Sequence, residues 1–224
     1  MVARTPETPA EAHASSSNTD RERKPLHQRP EQPEFWDHRF SQGITPWDAG
    51  RVPNSFDRFV SASPSPLRTL IPGCGSAWEA LHLDRLGWPA CALDFAPAAL
   101  AAAQQVFAKA GGYGGELVLA DFFTFAPPEI FELVYERAFL CALPRRLWSE
   151  YPTRMADLIK PGGYLAGYFF IDPGALRGPP FGIDRAELME LLSPRFSLLE
   201  EHLTDDAIGP FAGREYWMVW RRNP

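Results

Sequence analysis

The chain has 224 residues, 45% of them hydrophobic and 22% charged, which is the composition of one globular domain with a substantial core. Its net charge of −6 leaves no diffuse positive field to collect a phosphate backbone, so no nucleic-acid partner is expected. The N-terminus lacks the apolar centre of a signal peptide and no run approaches a membrane span, so the expectation is a soluble, cytoplasmic protein with no membrane partner.

Residues 1–33 are rich in Pro, Ser, Thr, Glu and Arg and nearly free of large apolar side chains. They cannot offset the entropy of ordering, so a disordered segment is predicted there and a folded domain over 34–224. From residue 34 on, short apolar runs alternate with helical patterns. LRTLI (67–71), ACALD (90–94), ELVLA (116–120) and FELVYE (131–136) are each too short for a core helix and end at Gly, Pro or Asp, which favours strands. SAWEALHLDRLG (76–87) reads as a helix with Ser76 and Glu79 spaced as a capping box and Gly87 at its stop. APAALAAAQQVFAKAGG (96–112) reads as a second helix, with Pro97 suited to its first turn. Later come a helical region interrupted by Pro152 (144–160), a strand GYLAGYFFI (163–171), a helix opening at Asp184, and a closing strand EYWMVW (215–220). Near-continuous apolar strands separated by helices imply a doubly wound α/β fold, its parallel sheet covered on both faces.

In such a sheet, ligands bind outside the carboxyl ends of the strands. The turn PGCGSA after the first strand lies at that rim, where Gly73 and Gly75 permit unusual dihedrals and close approach to the backbone. Asp94 ends the next strand, where a carboxylate can accept hydrogen bonds from ribose hydroxyls. Asp121 ends the one after and is followed by Phe122 and Phe123, a carboxylate beside rings that suits an adenine. Either acid alone could cap a turn. Together the three strand ends point to an adenosine-containing ligand. NAD and S-adenosylmethionine both qualify, but Trp78 stands where the third glycine of a dinucleotide turn is needed for close packing. That counts against NAD and an oxidoreductase.

The stretches FWDHRFSQGITPWDAG (35–50), LIPGCGSAWEA (70–80), LDFAP (93–97), ADFFTF (120–125) and YERAFLCALP (135–144) resemble the thiopurine S-methyltransferase family, and within it bacterial halide and thiol methyltransferases. PFGIDRAEL (180–188) and FAGREYWMVWRR (211–222) also fit, so the similarity covers about residues 34–222. The resemblance implies a class I S-adenosylmethionine-dependent methyltransferase fold, a doubly wound seven-stranded sheet, mostly parallel, in which EYWMVW is the candidate antiparallel strand. It also implies that Trp36 and Trp47 close over the cofactor, S-adenosylmethionine, with S-adenosylhomocysteine as product. Gly73 would meet its amino acid part, Asp94 its ribose and Asp121 with Phe122 its adenine, with Gly75 and Phe95 completing the set. Arg137 would stand between cofactor and acceptor.

A sulfonium is a permanent cation, and an indole face in a desolvated site attracts one by roughly 0.5–2 kcal/mol. Both tryptophans lie in a Gly/Pro-broken stretch before the first strand, which favours that role over core packing. If the acceptor is a thiolate or halide, no proton needs to be removed during transfer, and the enzyme need only collect, desolvate and aim the anion. Arg137 can hold an anion and cannot act as a base. Asp48, next to Trp47, is a second catalytic candidate, and Trp47, Phe139, Tyr168, Phe170 and Phe181 are candidate acceptor contacts.

The expected activity is methyl transfer to a small-molecule acceptor: halide, thiocyanate, hydrosulfide or an aromatic thiol. A nitrogen heterocycle or a thiopurine is the alternative. An NAD-binding oxidoreductase, or a cofactor-binding protein without catalysis, comes from other classes. Cys74, Cys91 and Cys141 show no CxxC spacing and the histidines no HxxxH, so neither a disulfide framework nor a metal is expected. A monomer is the expectation.

Overall fold

The computed structural model describes residues 24–224. Six α-helices surround one seven-stranded sheet among the described residues. In chain order they are α1 (Pro33–Ser41), α2 (Asn54–Ala62), β1 (Thr69–Pro72), α3 (Trp78–Arg85), β2 (Ala90–Asp94), α4 (Pro97–Lys109), β3 (Glu116–Leu119) and β4 (Phe131–Arg137). Then follow α5 (Tyr151–Leu158), β5 (Ile159–Phe170), α6 (Arg185–Leu192), β6 (Phe196–Leu203) and β7 (Glu215–Arg222).

The strand order is β3-β2-β1-β4-β5-β7-β6. Strands β3 to β5 are parallel, and β7 runs antiparallel to both its neighbours. The closing strand is therefore the reversed one, as expected. Side chains alternate across the sheet with the period of two that extended backbone imposes. Leu70, Leu93, Val134, Leu165 and Trp220 pack on the face covered by Tyr151 and Met155 of α5 and Leu188 of α6. Ile71, Ala92, Leu133, Tyr135 and Val219 pack on the other, beneath Phe56 of α2, Leu83 of α3 and Phe107 of α4.

Several local expectations are corrected. Residues 24–33 are not featureless: Leu26–Gln28 is a 3-10 turn, and the Pro30 carbonyl accepts the Trp36 indole N–H at 2.8 Å. The remainder of the expected disordered segment, residues 1–23, lies outside the described residues. Trp36 sits on helix α1 rather than in a loop. There is no capping box at α3, whose N-cap is Ala77 at φ 56° with no side-chain cap. Ser76 and Glu79 instead serve other partners described below. Pro152 does not interrupt a helix but lies in the first turn of α5, where an N–H is not needed. Strand β6 was not anticipated, because Leu199 and Leu203 are exposed and Glu200 and Glu201 break the apolar run, as an edge position allows. Among the described residues no helix is long and apolar enough to cross a membrane.

Candidate functional site

The carboxyl ends of β1, β2, β3 and β4 open into one cleft of about 1170 Å³ including its mouth. Its walls carry Trp36, Trp47, Gly73, Gly75, Asp94, Phe95, Asp121, Phe122, Arg137 and Phe139, ten of the residues singled out in the sequence. The roof comes from the N-terminal segment: Pro30 and Glu31, then Trp36, Arg39 and Phe40 of α1, then Pro46 and Trp47. The two indoles meet edge to face at 5.5 Å, and Phe40 meets Trp47 at 6.0 Å. Pro210 and Phe211, just before β7, close the far end.

Each strand end is tied to its neighbour. Gly73 and Gly75 have φ of 61° and 52°, the left-handed region that glycine adopts without a Cβ penalty. A side chain at Gly73 would meet Phe139 Cδ2 at 2.6 Å, so the ring of Phe139 is what lies against this backbone. Asp94 Oδ2 accepts the Gly75 N–H at 3.1 Å and Oδ1 the Ala96 N–H at 3.0 Å. Burial pushes its carboxyl up to about 6, against the pull of those N–H groups. Asp121 Oδ1 accepts the Phe123 N–H at 2.6 Å. Both acids thus cap their turns and line the cleft at the same time.

Beside the cleft lies a smaller, more polar chamber that shares Trp47, Gly73, Gly75, Arg137 and Ala138 with it. Asp48, Ser76, Trp78, Glu79 and Tyr135 line it. The Tyr135 hydroxyl donates to Glu79 Oε1 at 3.2 Å. Arg137 Nη1 stands 3.8 Å from Glu79 Oε1 and its Nε 3.9 Å from Glu215 Oε1, and the guanidinium lies 5.4 Å above the Tyr168 ring. The sequence neighbour Glu136 is not its partner. That carboxylate accepts the Tyr151 hydroxyl at 2.9 Å and the Phe139 and Leu140 N–H groups at 2.9 and 3.2 Å, holding the loop that follows β4.

Four expected site residues fall elsewhere. Asp48 does not reach the cleft: its oxygens are taken by the Ser76 hydroxyl at 2.5 Å, the Trp78 indole N–H at 3.0 Å and the Gly50 N–H at 2.8 Å. It straps the N-terminal loop to the glycine turn. Tyr168 is 1% exposed and its hydroxyl accepts the Ser55 and Phe56 N–H groups, fixing the start of α2. Phe170 packs behind the cleft wall on Phe211, with ring centroids 5.5 Å apart. Phe181 packs against the core near it and does not line the cleft. Aromatic residues in an inner strand go to the core by default, and the pattern GYLAGYFFI marks such a strand.

Sequence reasoning missed Glu79 and Glu215. The signal was available: each is an acid placed in a segment that folds against the core, and such acids are rare unless paired. Cys74 and Cys141 are buried, and burial pushes both thiols well above their ordinary range, so neither is set up as a nucleophile. No group of three or more His, Cys, Asp or Glu that could hold a metal ion occurs among the described residues.

The family model described as "Thiopurine S-methyltransferase (TPMT)" matches residues 31–223. "Thiocyanate methyltransferase 1" of Arabidopsis thaliana is 29% identical over 192 residues, covering 84% of either chain. "Probable thiol methyltransferase 2" of the same plant is 29% identical over 201 residues with the same coverage. Among solved structures, the Burkholderia thailandensis 1,6-didemethyltoxoflavin-N1-methyltransferase, with S-adenosylhomocysteine bound, superposes with a TM-score of 0.68 at 17% identity, over 99% of this chain and 94% of that one. At that identity the likeness concerns the fold, which is the class I methyltransferase fold.

Proposed function

The chain belongs to the thiopurine S-methyltransferase family and is an S-adenosylmethionine-dependent methyltransferase; we propose that its acceptors are small thiols or anions such as hydrosulfide, thiocyanate or halide. The observation that carries the reading is the cleft across three successive strand ends, floored by two glycines and two carboxylates and roofed by two indoles.

These residues fit the cofactor. Asp94 is the acceptor for ribose hydroxyls, Asp121 with Phe122 the partner of the adenine, and Trp36 and Trp47 the aromatic cover for a cation. The polar chamber beside Gly73, where Glu79 can meet an ammonium, suits the charged amino acid end, and Arg137 stands on its boundary with the acceptor side. When bound, S-adenosylmethionine would supply a methyl group activated by a positive sulfur, which leaves as the neutral thioether of S-adenosylhomocysteine when an in-line nucleophile takes the methyl. The chain contributes positioning and exclusion of water. Trp47, Phe139 and Phe211 strip the acceptor of its hydration shell, and Arg137 offsets its negative charge. Among the described residues the carboxylates that line the cleft are otherwise engaged, Glu31 with Arg29 and Arg146, and Asp94 and Asp121 with backbone N–H groups, consistent with an acceptor that arrives as its anion.

A thiopurine or nitrogen heterocycle is the second reading, favoured by the flat aromatic walls that Phe40, Phe139 and Phe211 offer. The test is a methyl-transfer assay with labelled donor against iodide, thiocyanate, hydrosulfide, an aryl thiol and a thiopurine. Transfer to the small acceptors is expected; transfer to the heterocycle alone would reverse the order of the two readings, and transfer to none would remove both.

A further inference from the structure

Arg137 is the cleft's cation at the acceptor end, yet two buried carboxylates already face it. Glu79 comes from α3 on one side and Glu215, the first residue of β7, from the other. Both separations, 3.8 and 3.9 Å, are longer than a hydrogen bond, so the guanidinium is attracted by these acids without being gripped by either. The two carboxylates are not equivalent. Glu79 also receives the Tyr135 hydroxyl, whereas Glu215 is 1% exposed and its Oε2 has no hydrogen-bond partner among the described residues. A buried carboxylate oxygen with no donor is costly, and the nearest cation is the one that an incoming anion also needs.

We propose that Glu215 competes with the acceptor anion for Arg137, so that anionic acceptors enter the site when Glu215 is neutral and are opposed when it is charged. This rests on the reading of Arg137 as the acceptor's cation. The groups around Glu215 support the assignment. The titratable groups near enough to act on its charge are Tyr135 and Glu136 of β4, Cys141 of the loop after β4, Glu79 of α3 and Asp206 of the loop before β7, and Tyr168 of β5 lies beneath Arg137. The tyrosines and the cysteine are held protonated by burial. Glu136 is committed to Tyr151 and two N–H groups, and Asp206 has Arg51 at 3.2 Å. Among the described residues Glu215 is left with Arg137 alone. Desolvation, reinforced by Asp206 and Glu79 and opposed by Arg137, pushes its carboxyl up to about 7, so it changes charge near neutrality.

The test is calorimetric titration of the full chain, saturated with S-adenosylhomocysteine, with potassium thiocyanate at about pH 6 and about pH 8.5; thiocyanate does not titrate in that range. The wild-type dissociation constant is expected to rise ~10-fold at the higher pH, and Glu215→Gln to bind equally at both, as tightly as the wild type at low pH. Glu215→Asp, which keeps the charge, should keep the pH dependence. Equal wild-type affinity at both values, the same rise in Glu215→Gln, or no thiocyanate binding at either pH overturns the proposal. The first of these needs no variant to fold. Methyl transfer is measured separately: if thiocyanate binds with the expected pH dependence but is not methylated, the acceptor assignment fails and the competition stands.

Discussion

The Asp48 carboxylate and the Ser76 hydroxyl meet at 2.5 Å across the seam between the N-terminal loop and the glycine turn. Through the same carboxylate the loop also takes the Trp78 indole. Asp48→Ala should therefore loosen the roof without touching the chemistry. We expect S-adenosylhomocysteine affinity to fall by about 1.5–3 kcal/mol, the worth of hydrogen bonds to a charged group, while kcat at saturating cofactor stays within ~3-fold of wild type. Binding calorimetry and steady-state kinetics check this, and a loss of kcat by orders of magnitude would restore a catalytic role to Asp48.

Gly73 carries both a left-handed backbone and a close ring neighbour. Gly73→Ala should destabilise the fold by about 1–3 kcal/mol, part from strain and part from the displaced Phe139 ring. In a double-mutant cycle with Phe139→Ala the two losses should add to less than their sum, because removing the ring removes the clash. Denaturant unfolding measures all four proteins; strict additivity would mean that the ring is not what limits this position.

On the proposed ribose role Asp94 would have to be ionised to accept two hydroxyls, and burial pushes its carboxyl up to about 6. Cofactor affinity should then be full above that value and decline as the pH falls through it. Asp94→Asn should weaken binding by about 1.5–3 kcal/mol at neutral pH and show a flat profile in the same range. A wild-type affinity that does not change between about pH 5 and about pH 7.5 would contradict the ribose assignment.

Trp47→Ala offers a test specific to the sulfonium. The donor carries a positive charge that the product lacks, so the variant should lose about 0.5–2 kcal/mol more affinity for S-adenosylmethionine than for S-adenosylhomocysteine. Equal losses for the two, by calorimetry, would show that the indole acts as a hydrophobic cover only.

Glu136 gives a prediction about stability. Its buried carboxyl is pushed up to about 7 from an ordinary 4.5, so the folded chain keeps a proton that the unfolded chain releases in that interval. Stability from this group is present at the acidic end and is lost as the pH rises through the window. Glu215 acts in the same direction. Glu136→Gln should flatten the decline between about pH 5 and about pH 8 by on the order of 2 kcal/mol, leaving the part due to the other buried acids whose carboxyls are raised, Glu79, Asp94 and Glu215, as unfolding midpoints at each pH would show.

The parts of the molecule legible in the sequence are those where chemistry and local pattern coincide. Strand runs bounded by turn residues located β1 to β5 and β7 to within a few residues, and the acids that end β2 and β3 were visible because they interrupt apolar text. Asp48 was expected in the cleft beside its neighbour Trp47, but Trp47 lines both chambers and Asp48 only the smaller one. Tyr168 and Phe170 share one face of a buried strand but pack in different clusters, and no sequence rule distinguishes the wall of a cavity from the layer behind it. The capping box failed for a related reason: Ser76 and Glu79 have the spacing, but partners distant in the chain, Asp48 and Arg137, claim both side chains.

The reversal of β7 has a consequence for how the pocket can be altered. In a wholly parallel sheet every strand begins at the rim remote from the ligand, so only its last residue could reach the active centre. Running backwards, β7 brings its opening residue to the working edge, a few ångströms from a side chain contributed by β4. If Glu215 competes for Arg137 as proposed, strand β7 has a say in acceptor preference, and substitutions at residue 215 should retune it while the turns after β1, β2 and β3 stay as they are.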